Sequence, residues 1–473
     1  MRKKLIKLIA MCKTPQGFFV WVTLLFGGIF ILAIPPLQTP DEAAHFLRAY
    51  QISNFEFIPS QKDGITGSDI PVSFQKVQEA IEGGGAIQTR PTLKYKLGNT
   101  KAALVYVPLD ETRKVFMDTS VTASYSPVGY VPQALAVGLG RVLNAPPIIM
   151  IYLAKLLMLI TWTGLVFVSI KLFPFKKWAV VGIALLPMFL SQSVSLGVDV
   201  IAIGSGILFT STVLACLYRK TAMTRKELLL LIGAGVAMVL SKQVMVFLLG
   251  LILALPGASL SKSSKKSWLL KIGLILIPVA SFGIWSLFLP DISSNITQLT
   301  NGQNTFEQIK YIFQNPWMFI MTFFNTFFFT PGDGISQSLM GNFGWLDTPL
   351  SALFINAGYA SLFVYWFINY EGKNNTRTVS KVNKAVFAGI AVLYFIGVCA
   401  ALYILFSPVA FPIIIGIQGR YLFPCLFLLL PVFFTNIFTT KEKYFVRFTK
   451  IMSITLLAAS VITIVFRYYI TVY

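Results

Sequence analysis

Apolar stretches recur through the whole chain, from Gly17–Ile34 to Ile451–Tyr469, and basic residues collect in short clusters between them. A helix that crosses the hydrocarbon core of a bilayer needs about 20 apolar residues, and every backbone polar group in that core must be paired within the structure. These runs therefore restrict the chain to an all-α integral membrane fold. Composition agrees: 56% of the 473 residues are hydrophobic and 12% charged, about half the charged share of a soluble domain.

The formal net charge of +21 would suit a nucleic-acid partner if it formed one surface, and its distribution excludes that. Of the 39 Lys and Arg, 24 fall in six clusters: Arg2–Lys13, Lys171–Lys177, Arg219–Lys226, Lys262–Lys271, Lys373–Lys384 and Lys441–Lys450. Three of the 18 acids, Glu227, Glu371 and Glu442, accompany them, which leaves 15 basic and 15 acidic residues elsewhere. Loops rich in Lys and Arg stay cytoplasmic, so the clusters report orientation and contact with anionic membrane lipids, and no nucleic acid is expected as a partner. The expected location is the plasma membrane, with a cytoplasmic N-terminus. Cys12, Cys216, Cys399 and Cys425 have neither disulfide nor metal spacing and read as small hydrophobes.

These patterns predict about 11 transmembrane helices. Residues 1–34 hold the cytoplasmic N-terminus and a retained first span, and 35–146 an extracellular loop with a small α/β subdomain and juxtamembrane helices. A transmembrane core fills 147–290, a second extracellular region with an interfacial helix 291–349, and further spans 350–473. Among the spans, Trp178–Ser193 reads as one crossing, and Leu228–Ser241 with Val244–Ala258 as a short pair around Lys242. The apolar helix Val128–Leu143 is laid along the interface, because a crossing there would invert every later basic loop. In the first loop, Ala102–Val107 reads as strand-like.

The stretch Pro35-Pro36-Leu37-Gln38-Thr39-Pro40-Asp41-Glu42-Ala43-Ala44-His45-Phe46-Leu47-Arg48 follows the first span directly. Pro35 and Pro36 stop that helix. Thr39 is placed to cap a new one, with Pro40 at its first position and Asp41 and Glu42 in its first turn. His45, the only histidine, lies one turn after Asp41, where a hydrogen bond to Asp41 or a backbone carbonyl is its simplest role. Ionisable groups near membrane depth are costly and so mark functional candidates. On the predicted topology the outer face also carries Asp199 after Leu186-Pro187, Lys242 after Ser241, Asp291, Asp333, Asp347, and Arg420 in Gln418-Gly419-Arg420-Tyr421. Asp347 and Asp333 read more simply as turn residues.

Several motifs carry a resemblance. They are Pro40-Asp41-Glu42-Ala43-Ala44-His45, Gly341-Asn342-Phe343-Gly344-Trp345-Leu346-Asp347 and Gln418-Gly419-Arg420-Tyr421. Together they resemble a bacterial membrane family catalogued as domain of unknown function 2142. The order of an acidic motif after the first span, an interfacial helix, Asp199 at an outer turn and Lys242 at an outer tip is more broadly similar to GT-C-type glycosyltransferases. That resemblance implies a GT-C-like N-terminal module and an inverting transfer from a polyprenyl-phosphate sugar, expected to be undecaprenyl phosphate, to a cell-envelope glycan. It gives Asp41 the role of catalytic base, with Glu42 as the second candidate. Substrate contacts are then expected from His45, Arg48, Tyr125, Tyr130, Asp199, Lys242, Arg420 and Tyr421. A divalent cation at Asp41 and Asp199 is an option, since the superfamily contains members with and without one.

The chemistry suits those residue types independently. A hydroxyl attacking an anomeric carbon needs a carboxylate to accept its proton, and a departing phosphate needs cations. Two rivals stand beside this reading: a transporter or flippase of a lipid-linked glycan, and a non-catalytic partner in an envelope-polysaccharide complex.

Overall fold

The computed structural model describes residues 13–82, 94–219, 222–289, 304–329, 333–371 and 379–470. Asp291, Cys12 and part of the Arg2–Lys13, Arg219–Lys226 and Lys373–Lys384 clusters lie outside them. The chain is mostly helical. Among the described residues, six helices are long and apolar enough to cross a membrane: Pro15–Ala33, Pro147–Leu172, Asp199–Tyr218, Ser264–Ser286, Lys381–Phe406 and Glu442–Tyr468. Shorter apolar helices run over Gln243–Ala254, Pro316–Phe329, Ala352–Phe367 and Gly419–Val432.

Local chemistry sets the ends of the first span. The Thr14 hydroxyl accepts from the Gly17 amide at 3.1 Å and Pro15 opens the helix, while Pro35 and Pro36 prevent its continuation. The segment expected to cross as Trp178–Ser193 is broken into two buried helices, Lys177–Ala184 and Pro187–Ser193. Pro187 forces Leu186 into an extended conformation (φ −57°, ψ 141°), as a residue before proline requires. The second member of the short pair is also unlike its expectation: Gln243–Ala254 is a 12-residue 3₁₀ helix. At about 2.0 Å per residue it reaches about 24 Å, where an α-helix of that length reaches about 18 Å. Tighter winding thus makes up part of the missing length.

The helix Val131–Val142 follows a 3₁₀ turn over Pro127–Tyr130. Val131, Leu135, Leu139 and Val142 form an exposed apolar stripe along it, opposite buried Gln133, Ala136, Val137 and Gly140. That pattern suits a helix lying in a membrane interface. The loop before it holds a three-stranded antiparallel sheet, Ser60–Lys62, Ile65–Pro71 and Lys114–Asp118, in that order, with Gly67 opposite both Ser60 and Asp118. Ala102–Val107 is not a strand. Most of it ends the helix Leu97–Tyr106, where the helix propensity of Ala102 and Ala103 outweighs the β-branched residues after them. The loop is tied to the end of the last span, where the Tyr95 amide donates to the Tyr468 carbonyl at 2.7 Å and Lys94 Nζ to the Arg467 carbonyl at 3.0 Å.

Candidate functional site

Asp199 and Lys242 stand at the same end of neighbouring helices, Asp199–Tyr218 and Arg225–Ser241. The basic residues Arg219 and Arg225 stand at the other end of those helices. The first motif and Arg420 join Asp199 and Lys242, so four distant segments meet at the end remote from the basic clusters.

Asp41 does not sit in a helical first turn. The turn in which the Glu42 amide donates to the Thr39 carbonyl (3.2 Å) leaves Asp41 as the residue before the helix, at φ 61°. The Thr39 hydroxyl is buried without a partner and caps nothing. A left-handed conformation is tolerated by aspartate but still costly, and in proteins such positions gather at functional sites. Its effect here is to leave the Asp41 side chain exposed while Glu42 points inward. The Asp41 charge nevertheless acts on Tyr125, Tyr130 and Arg420.

His45 is buried and shares a hydrogen bond of 2.6 Å between Nδ1 and the Tyr130 hydroxyl. The bond expected to Asp41 or a carbonyl therefore goes to a phenol 85 residues away. The imidazole also packs against Tyr125, with ring centroids 6.0 Å apart. Burial pushes its pKa down to about 4; Asp199 opposes this and Arg420 and Lys242 add to it. Burial likewise pushes the phenols of Tyr125 and Tyr130 up. The tyrosine motif is pressed onto the other segments at Gly129, where a Cβ would lie 2.9 Å from Val198 and 3.2 Å from the Ser241 hydroxyl.

Asp199 is gripped from two sides. Lys242 Nζ binds Oδ1 directly, and Arg420 Nη1 stands 3.5 Å from Oδ2. Arg420 Nη1 also donates to Gln192 Oε1 at 3.2 Å, while its Nε is buried without a hydrogen-bond partner. The Tyr421 ring lies under both cations, 4.3 Å from Lys242 Nζ and 5.4 Å from Arg420 Cζ. Gly419 makes this placement feasible: a Cβ there would lie 2.1 Å from the Leu339 backbone nitrogen, and the Gly419 amide donates to Ser338 Oγ at 2.7 Å. Beneath Asp199, Trp162, Phe189 and Phe423 close a crevice too narrow to admit water.

Two residues expected in the site lie elsewhere. Glu42 is fully buried against Lys155, 3.1 Å away in the span Pro147–Leu172. The pair is at contact distance, yet neither carboxylate oxygen has a well-aligned hydrogen bond. Arg48, also fully buried, donates to the carbonyls of Phe57 (2.7 Å) and Tyr125 (3.4 Å) and to Gln51, so it fastens the loop that follows the first span. Asp347 is held by Arg467 at 2.6 Å, pinning the glycine-rich turn to the last span. Sequence reasoning passed over Gln192, which nothing distinguishes from a core glutamine, and left Lys155 without a partner.

A divalent cation does not fit this arrangement. Both Asp199 oxygens face cations, and among the described residues no three His, Cys, Asp or Glu side chains gather to hold a metal. What the site offers is two cations around a shared carboxylate, an exposed second carboxylate, and aromatic faces.

The model of a family described as predicted membrane protein (DUF2142) matches residues 24–429. No curated protein and no solved structure matches the chain.

Proposed function

The chain belongs to that family of predicted membrane proteins, and on that premise we propose that it is a GT-C-type glycosyltransferase. It moves a sugar from a polyprenyl-phosphate donor, undecaprenyl phosphate in the bacterial envelope, to a glycan acceptor on the outer face. Arg225–Ser241, Gln243–Ala254, Ala352–Phe367, Gly419–Val432 and the broken segment 177–193 count as five additional crossings, eleven in all, with Pro316–Phe329 in the interface, and the basic end faces the cytoplasm. The observation that supports this most is the convergence of Asp41, Asp199, Lys242 and Arg420 from four distant segments onto one neighbourhood.

In the proposed reaction the acceptor hydroxyl oxygen attacks the anomeric carbon from the face opposite the phosphate. Asp41 takes the hydroxyl proton, the bond from the anomeric carbon to the phosphate oxygen breaks, and polyprenyl phosphate leaves with the electron pair. Configuration inverts. Lys242 and Arg420 hold the phosphate, and Tyr125, Tyr130 and Tyr421 supply surfaces against which a sugar can stack. His45, neutral at pH 7, orients Tyr130. Asp41→Asn removes the proton acceptor without disturbing buried packing, and loss of general-base catalysis lowers transfer by about 10²–10⁴-fold. Expressed at the normal level in cells lacking the native copy, this variant should reproduce the envelope sugar composition of the deletion. Wild-type composition in that strain, alongside a changed composition in the deletion, overturns the assignment.

A further inference from the structure

At the end of the bundle remote from Asp41, a groove of about 650 Å³ opens at the start of the last span. Four cations line it: Lys13 from ahead of the first span, and Lys443, Arg447 and Lys450 from one face of Glu442–Tyr468. Glu442 is the one acid on its wall. Its inner side is apolar, formed by Trp178 and Val446, with exposed Ile451 where the groove meets the membrane-crossing part of the helix. The Lys450 ammonium already rests on aromatic faces, 5.1 Å from the Trp178 ring and 5.3 Å from that of Phe18. Lys13, Lys443 and Arg447 are exposed.

We infer that this groove is a binding site for the phosphate headgroup of an anionic phospholipid. The charge balance on the wall, four cations to one carboxylate, requires an anion. A soluble anion would leave the apolar side unused, whereas a lipid places acyl chains where apolar side chains stay exposed. Ile451 and Ile454 on the last span, and Trp21, Leu24 and Leu25 on the first, remain exposed next along these two packed helices. The headgroup sits between Lys443 and Arg447, whose guanidinium can grip a phosphate with two parallel hydrogen bonds. The site is separate from the Asp199 cluster and does not depend on its function.

The test uses the full chain purified in detergent, with lipid binding followed by native mass spectrometry. The probes are dioleoylphosphatidylglycerol, dioleoylphosphatidylcholine and inorganic phosphate. The groove variant is Lys443→Gln with Arg447→Gln, which spares the packed Lys450. The control is Lys262→Gln with Lys265→Gln, two exposed lysines of another basic cluster that remove the same charge. With each basic residue near a headgroup contributing as it does at anionic membranes, the groove variant loses about thirtyfold in phosphatidylglycerol affinity, and the control changes it less than about twofold. Wild type binds phosphatidylglycerol at least about tenfold more tightly than phosphatidylcholine. Three results overturn the inference: equal binding of the two lipids, equal loss in both variants, or displacement of phosphatidylglycerol by inorganic phosphate at about 10 mM, which at that ionic strength screens only weakly.

Discussion

The Glu42–Lys155 pair allows the two neighbouring acids to be separated by experiment. Both side chains are at most 1% exposed and their charged atoms are 3.1 Å apart. Lys155 lies eight residues into Pro147–Leu172, about 12 Å along the helix at about 1.5 Å per residue. Breaking such a pair from one side leaves a buried charge and costs about 3–5 kcal/mol, while replacing both partners is close to neutral. Glu42→Gln combined with Lys155→Met should return to within about 1 kcal/mol of wild type. Denaturation curves in mixed micelles with increasing SDS give the four stabilities and the coupling. Damage in the double variant equal to the sum of the singles refutes the pairing. Transfer activity adds a second result: if Asp41 is the base and Glu42 a structural anchor, the stable double variant keeps its activity. A stable double variant without activity moves the catalytic role to Glu42.

Three further outcomes follow from the site. Because His45 is the only histidine, labelled imidazole gives a single NMR signal in nanodiscs, and its titration midpoint should lie near 4; a midpoint near the ordinary value of about 6.5 refutes the burial argument. The same shift makes folding favour the neutral ring, so stability present above pH 6.5 falls by roughly 3 kcal/mol as pH drops toward 4, and His45→Gln should flatten that slope in a thermal-melt series. Gly419→Ala should destabilise severely, since its Cβ meets backbone at 2.1 Å, whereas Gly28→Ala, with open space around it, should be neutral or slightly stabilising; comparable melting of the two variants contradicts the close approach. Arg467→Gln leaves Asp347 Oδ2 without the two Arg467 donors it accepts from and should cost about 2–4 kcal/mol, read as the drop in the detergent melting temperature relative to Arg113→Gln, an exposed pair expected to change little.

Much of this architecture could be read from the sequence because membrane constraints act residue by residue. Apolar length, proline stops and basic loops identified the long spans and grouped the Asp41, Asp199, Lys242 and Arg420 segments. What stayed hidden depends on contacts between distant residues. Nothing in Pro40-Asp41-Glu42 says that one acid stays exposed and its neighbour pairs with a lysine 113 positions later; the left-handed backbone at Asp41 decides it. Arg48 offered the same donors as Arg420, and only its burial against the Phe57 carbonyl made it structural. The break at Pro187 was written in the chain, but Trp178–Leu190 is apolar throughout, and hydropathy alone cannot show that a helix is interrupted partway.

The charge arrangement also bears on which step of the proposed reaction the site would favour. Asp199 carries one negative charge between Lys242 and Arg420, so the cluster has a net charge of about +1 when all three are ionised. A sugar attached through a phosphodiester carries about one negative charge and balances it. As the glycosidic bond breaks, the leaving phosphate becomes a monoester and gains a second charge on the oxygen facing the cations. The attraction of Lys242 and Arg420 therefore rises along the reaction, and an interaction that strengthens toward the transition state accelerates the chemical step. Asp199 keeps the ground state from being held as tightly as two bare cations would hold it. By the same electrostatics Asp199→Asn, which raises the net charge of the cluster to about +2, should tighten donor binding and speed the bond-breaking step, and Arg420→Gln should weaken binding and slow that step. Binding measured with a non-hydrolysable lipid phosphonate and turnover measured with the natural donor separate the two effects. Weaker phosphonate binding in Asp199→Asn contradicts the argument.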